Sequence, residues 1–231
     1  MHTVECSPSR LNLAYHWRIK ELPSKRVVFD AKNLITNYGL TAFASAPGGV
    51  YVAPQWLVIQ NTSTTVSSAT SSTIVVPTRI DQTGDTTIVV GVGPTSINQE
   101  VVTFTSVTGS GPYTYNLSPN ATKSHIAGEL VLRNPVVTDT LANITNEVQY
   151  DVGSFPTQRA QSIGGYTTGV GNYIMQFLLT GAQALMTLPI LGLSDTNIVG
   201  TGNLHNELVS GYIHTSGIDL EIDVSITLTN I

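Results

Sequence analysis

From Gly217 to Ile231 the chain alternates. Ile218, Leu220, Ile222, Val224, Ile226 and Leu228 fall on one side, and Asp219, Glu221, Asp223, Ser225, Thr227 and Thr229 on the other. A period of two sustained this long is the pattern of a β-strand with one buried face. A helix would scatter these apolar residues around its axis, and a one-residue slip would turn them to water. The stretch therefore demands a sheet, and the rest of the chain must supply its partner strands.

Composition narrows the class. The chain has 231 residues and 41% hydrophobic content, enough for one large or two small domains with a real core. Only 11% of residues are charged, against about 25% in an ordinary soluble domain. Either the protein has an uncharged, Thr-rich β surface, or other subunits cover much of that surface. The second reading is favoured, because charge is depleted at interface cores and a charge-poor free monomer is poorly soluble. The basic residues cluster early, with Arg10, Arg18, Lys20, Lys25, Arg26 and Lys32 among the first 32 positions. That segment carries a net +3 and the remainder −8. Interspersed acids and apolar residues separate it from a polybasic nucleic-acid tail. A single cysteine, Cys6, excludes an intrachain disulfide, and the N-terminal residues lack the apolar run of a signal peptide. The run Ile174–Leu193 is long enough to cross a bilayer. It contains Gln176, Gly181, Gln183 and Pro189 and has no basic flanks, so no membrane partner is expected.

Taken in order, residues 1–26 read as an extended N-terminal arm with Tyr15, His16 and Trp17 as its aromatic anchor. Val27–Phe29 is a short strand. Lys32–Ala46 has helical spacing at Leu34, Ile35, Tyr38, Ala42 and Phe43, with Asp30 as its N-cap and Pro47-Gly48-Gly49 as its stop. Gly39 inside that helix marks close packing against the sheet. Trp56–Gln60 is a strand, and Asn61–Thr73 is an exposed loop or an extended edge. Residues 78–133 read as an inserted, small barrel-like β module with strands at Thr86–Val90, Glu100–Val107, Tyr113–Leu117 and Gly128–Arg133. Tyr173–Leu179 is a strand, Ala182–Leu191 is a short helix or a loop, and Asn203–Tyr212 is ambiguous. The fold class expected is mainly β: a β-sandwich core over 27–77 and 134–231, one helix, the inserted module and the arm.

No constellation reads as catalytic. His2, His16, His125, His205 and His214 form no tight pair, although His205 and His214 lie close enough for a metal site to be conceivable. Asp219, Glu221 and Asp223 stand about 7 Å apart along one strand face, at roughly 3.3 Å per residue. They call for water, subunit cations or a hard metal, and no loop of further oxygen ligands surrounds them. A paired-carboxylate glycosidase needs an opposing acid that the sequence does not supply. There is no G-x-S-x-G elbow and no glycine loop followed by lysine and a helix. Tyr113, Tyr115, Tyr166 and Tyr173 could stack sugars or bases, or simply pack across strands. No cofactor, metal or catalytic residue is assigned.

Several stretches in order resemble virion proteins of tailed bacteriophages. They are Lys32-Asn33-Leu34-Ile35-Thr36-Asn37-Tyr38-Gly39-Leu40, Thr138-Asp139-Thr140-Leu141 with Asn146-Glu147-Val148, Phe177 to Ala184 with Leu191-Gly192-Leu193, and the alternating final strand. In the middle, Ser124-His125-Ile126-Ala127-Gly128-Glu129 is similar to an element of β modules in phage structural proteins. The resemblance implies a non-enzymatic, homo-oligomeric role in the tail, fibre or baseplate, as a trimer or hexamer among other virion proteins. Capsid decoration and receptor or glycan binding by the exposed tyrosines and residues 61–73 are the alternatives. The subunit interface expected is the arm, with Tyr15, Trp17, Arg18, Lys20, Lys25 and Arg26, meeting Asp219, Glu221 and Asp223 of a neighbour.

Overall fold

The computed structural model describes residues 11–45, 54–93, 96–144, 147, 159–169, 172–181, 187–215 and 217–230, and every structural statement below refers to these. The protein is mainly β, with three antiparallel sheets and one α-helix. The chain runs β1 (Leu11–Glu21), β2 (Arg26–Lys32), β3 (Leu34–Ile35), α1 (Asn37–Ser45), β4 (Trp56–Gln60), β5 (Thr64–Thr65), β6 (Ser68–Ala69), β7 (Thr73–Val76) and β8 (Thr87–Val92). It continues through β9 (Glu100–Thr108), β10 (Tyr113–Leu117), β11 (Leu130–Arg133), β12 (Ala160–Gln161), β13 (Gly164–Gly169), β14 (Asn172–Leu179), β15 (Thr187–Ser194), β16 (Leu204–Ile213) and β17 (Leu220–Asn230).

The final strand behaves as its alternation predicts. β17 lies between β14 and β1 in the sheet β13-β14-β17-β1-β2. Leu220, Ile222 and Val224 are fully buried on its inner face. They meet Tyr15, Trp17 and Ile19 of β1, Phe177 and Leu179 of β14, and Leu57, Ile59, Leu188, Leu191 and Leu193 from the second sheet, β12-β4-β15-β16-β3. One apolar core thus joins two sheets, and its burial is the main term holding them together.

Residues 11–26 are not an arm. β1 pairs with β17 over its whole length, from Leu11 opposite Asn230 to Glu21 opposite Leu220, and with β2 on its other side. The apolar members of β1 alternate inward, so Tyr15, Trp17 and Ile19 have core partners within the same chain. Residues 1–10 of the expected arm lie outside the described residues.

The helix also differs from its expectation. It starts at Asn37 rather than Lys32, because Arg26–Lys32 is drawn into pairing with β1 and Leu34–Ile35 into pairing with β16. Thr36, not Asp30, caps it, and its hydroxyl accepts the Gly39 N–H at 3.1 Å. Gly39 does mark close packing: a Cβ there would sit 2.1 Å from the carbonyl oxygen of His205 on β16. Residues 187–194 form strand β15 rather than a helix or loop, since Leu188, Ile190, Leu191 and Leu193 are buried between β4 and β16.

The third sheet, β5-β11-β8-β9-β10-β7-β6, curls into a half-barrel around Ile74, Val76, Ile88, Val90, Val102, Phe104, Tyr115 and Val131. It takes in residues 64–76 as well as the stretch from 78, since β7 pairs with β10 and β5 with β11. This module abuts the second sheet where Val209 of β16 packs with Val89, Val92 and Leu132. Gly211 permits the approach: a Cβ there would lie 2.4 Å from Val92 Cγ1.

Candidate functional site

Two charged groupings stand out, one on the outer face of the first sheet and one buried where module and core meet. In the first, the residues expected to bridge subunits satisfy one another within a single chain. The register sets Lys20 opposite Glu221 and Arg18 opposite Asp223. Lys20 Nζ donates to Glu221 Oε1 at 3.1 Å and also bonds Asp223, while Lys25 reaches the other Glu221 oxygen. Gln176 donates to Asp223 at 3.0 Å. Arg18 and His16 pair with Asp30, and Arg26 pairs with Glu21, which also accepts the Tyr212 hydroxyl at 2.9 Å. Asp219 is exposed and accepts the Gly181 N–H at 2.6 Å. Burial works against ionising Glu221, but Lys25 and Lys20 outweigh it and hold the carboxyl below its usual range. Burial likewise opposes the charge on Lys20, and Asp223 and Glu221 overcome it and raise the ammonium. Glu221 and Asp223 are therefore covered charges with cations in place, not an open acidic face.

The second grouping escaped sequence reasoning. Arg133, at the end of β11 and 1% exposed, forks onto two carboxylates. It donates to Asp85 at 2.7 and 3.0 Å and to Asp139 at 2.9 and 2.7 Å. Asp139 also accepts the Val136 N–H at 2.7 Å. Behind it lies Glu207 of β16, with no exposed surface. Neither Glu207 oxygen finds a donor in the described protein. Burial, and then the neighbouring Asp139 carboxyl, push Glu207 well above the usual carboxylate range. Asp139 moves the other way: burial opposes its charge, but Arg133, Glu207 and the Val136 amide hold its carboxyl low. A protonated Glu207 donating to an ionised Asp139 reconciles both shifts and gives one Glu207 oxygen the partner it lacks.

The same stretch of β16 carries other unpartnered polar groups. Both ring nitrogens of His205 and the side-chain oxygen of Asn206 lack hydrogen-bond partners in the described protein. Burial lowers His205 to about 4, against a weaker opposing pull from Asp195. The imidazole packs edge-on against Tyr38 of α1, with ring centroids 5.0 Å apart. Above this strand, an open cleft of about 600 Å³ separates β2 and β3 from the module, with Phe29, Lys32, Gln99 and Asn134 on its walls. Glu207 borders it from beneath the floor.

Other candidates resolve into structure. His205 and His214 do not converge: His214 Nε2 lies 2.6 Å from the Ile218 carbonyl oxygen, and no group of three or more metal-ligand side chains forms among the described residues. His125 is wedged between Glu129 at 2.8 Å and Glu100 at 3.4 Å, so the Ser124–Glu129 element closes a loop of the module. Arg159 is buried against Glu147 and also donates to Ser194 at 2.8 Å and to the Thr201 carbonyl at 3.0 Å. Tyr115 is fully buried, and its hydroxyl donates to Asp81 at 2.6 Å. Tyr166 and Tyr173 are exposed. The apolar run Ile174–Leu193 supplies β14 and β15, and no described helix is long and apolar enough to cross a membrane. No family model matches the chain, and no match was found among curated proteins or among solved structures.

Proposed function

We propose that this chain is a non-enzymatic structural protein of a tailed-bacteriophage virion, assembling as a homo-oligomer in the tail, fibre or baseplate after synthesis in the host bacterial cytoplasm. In this reading the two five-stranded sheets are a β-sandwich core and the half-barrel is an inserted module. The supporting observation is how the few charges are used. Seven of the ten basic residues, Arg18, Lys20, Lys25, Arg26, Arg79, Arg133 and Arg159, are tied to carboxylates of their own chain. Exposed apolar side chains, Ile97, Ile126, Ile163 and Ile213 among them, add surface whose burial under a neighbour would be favourable. The ordered motifs described above supply the link to virions.

The mode of contact changes from the one expected. The lysines of residues 11–26 and the acids of β17 are already partners in cis, so the proposal no longer rests a contact between subunits on their mutual attraction. Deleting residues 1–26 would remove a central strand and cannot test assembly cleanly. The test is a reconstruction of the particle with this chain fitted into it. Placement in a three- or six-fold tail, fibre or baseplate layer supports the proposal. Placement on the head lattice would move the protein to capsid decoration, and absence from the particle would refute a virion role. Receptor or glycan binding is the second reading, favoured by Tyr166 and Tyr173, exposed on adjacent strands. Binding of the purified protein to host-surface glycans, lost on Tyr166→Ala, would establish it.

A further inference from the structure

We infer that the joint between the half-barrel module and the second sheet is a proton-operated latch. While Glu207 keeps its proton the module stays docked. When that proton leaves, the joint parts locally and water reaches Glu207, with both units still folded. The latch is a property of the single chain and holds whatever the protein assembles into.

The two units can part because each has its own core. Seventeen buried apolar residues hold the two five-stranded sheets together and eleven fill the half-barrel, whereas only three, Val89, Val92 and Leu132, meet Val209 at the joint. Units with separate cores and a small shared contact separate more readily than they unfold. Two connections join them, one after Gln60 and one after Arg133. Thr64 pairs with Val131, so the connections leave the module side by side, as a hinge requires.

Polar contacts complete the docking. Arg133 reaches across the joint, holding Asp85 of the module at 2.7 Å and Asp139 at 2.7 Å. Asp139 belongs to the core side. Its loop offers the Val137 carbonyl to the Asn37 N–H at 2.7 Å, and Leu141 packs with Val58 and Leu204. Gln82 and Asn143 exchange two further hydrogen bonds, at 2.6 and 3.0 Å. Glu207 stands behind Asp139 with no exposed surface and no donor for either oxygen. A neutral carboxyl tolerates that place. An ionised one would set two carboxylates, Glu207 and Asp139, against one guanidinium that Asp85 already shares.

The other titratable groups around Glu207 offer it no hydrogen bond. His205, two residues back along β16, packs against Tyr38 of α1. Asp30 and Lys32 stand on the walls of the cleft; Asp30 is paired with Arg18 and His16, and Lys32 is exposed, where water screens it. β3, β8 and β15 contain no titratable side chain. Relief is nevertheless close. Glu207 borders the open cleft of about 600 Å³, so a small widening there hydrates its carboxylate without disturbing either core.

Burial and Asp139 strengthen the hold of docked Glu207 on its proton, whereas the hydrated carboxyl of the parted state titrates near the ordinary 4.5. The docked state therefore binds more protons. The equilibrium constant for parting rises with pH, by up to about tenfold per unit, until docked Glu207 ionises.

Thiol labelling of the full chain from about pH 5 to 9, in a Cys6→Ser background, tests this. Val131 and Leu132 are adjacent and fully buried, but Val131 faces the half-barrel core and Leu132 the joint. Leu132→Cys therefore reports parting, and Val131→Cys reports unfolding of the module. Each rate is divided by that of an unstructured thiol peptide at the same pH, which removes the titration of the thiol itself. Leu132→Cys is expected to outrun Val131→Cys by a ratio that grows with pH, at least about tenfold over the range, and Glu207→Gln is expected to abolish that growth. Equal rates for the two cysteines, or a growth that survives Glu207→Gln, overturns the latch. If Glu207→Gln does not fold, the ratio measured with Glu207 in place decides alone, and a ratio that does not grow with pH overturns it.

Discussion

Glu207 makes the stability of this protein fall with rising pH in a range where ordinary carboxylates are silent. The perturbation is Glu207→Gln, which keeps the shape, stays neutral at every pH and still offers Asp139 an N–H donor. In the wild type, the folded state holds the Glu207 proton above the usual carboxylate range, while the unfolded chain releases it near the ordinary glutamate value of 4.5. The folded state then binds more protons than the unfolded one. This stabilisation is complete below about 4.5 and is lost as pH rises toward the folded pKa, by about 1.4 kcal/mol per pH unit. His205 opposes it over part of the range. Its folded pKa is depressed to about 4 from 6.5, so its contribution is complete above 6.5 and lost as pH falls toward 4. That loss totals about 3 kcal/mol. From pH 4.5 upward the two slopes oppose each other for as long as both groups titrate. Urea denaturation at half-unit steps from pH 5 to 8.5 of both proteins isolates the Glu207 contribution. Relative to the wild type, Glu207→Gln should gain stability as pH rises, by up to about 1.4 kcal/mol per unit until the folded-state pKa of Glu207 is passed. Parallel curves for the two proteins would refute the shared proton between Glu207 and Asp139.

Three further perturbations follow from the packing. Gly39→Ala should destabilise by about 2–4 kcal/mol, because the added methyl meets backbone at His205 rather than a side chain that can swing away; a change under about 0.5 kcal/mol in chemical denaturation would contradict the close approach of α1 to β16. Trp17→Ala should cost about 3–5 kcal/mol of monomer stability, whereas a tryptophan that only anchored a neighbouring subunit would leave the isolated chain's melting curve unchanged. Lys20→Met should cost about 1–3 kcal/mol near neutral pH by leaving Asp223 with Gln176 but no cation and Glu221 with Lys25 alone, both acids being 8% exposed or less. Because Glu221 is held below its usual range, this strip stabilises above about pH 4.5 and loses that contribution as pH falls, so the deficit of the variant should shrink in acid; a deficit that grows in acid would contradict the pairing.

The sequence made some of this readable, and the limits have physical causes. Period two in β17 identifies its inner face, and Leu220, Ile222 and Val224 are fully buried there. The same period says nothing about what covers the other face, so Asp219, Glu221 and Asp223 read as an open acidic row. Helical spacing and Gly39 locate α1, yet its start was set by strand pairing at Leu34–Ile35, a tertiary effect that local propensity does not carry. The Glu207 grouping had no local signature at all. Its four members come from β8's approach, β11, the following loop and β16, and only the docking of module on core brings them together. The error over residues 11–26 was of another kind, because the signal was present. Tyr15, Trp17 and Ile19 alternate with His16, Arg18 and Lys20, the same period as β17 with the opposite charge on its polar side. Net charge summed over the segment hides that alternation, and the segment reads as a basic arm instead. Two long alternating stretches, one polar side cationic and the other anionic, are better read as neighbouring strands of one sheet, since cross-strand pairs of opposite charge stabilise the pairing that their apolar sides require.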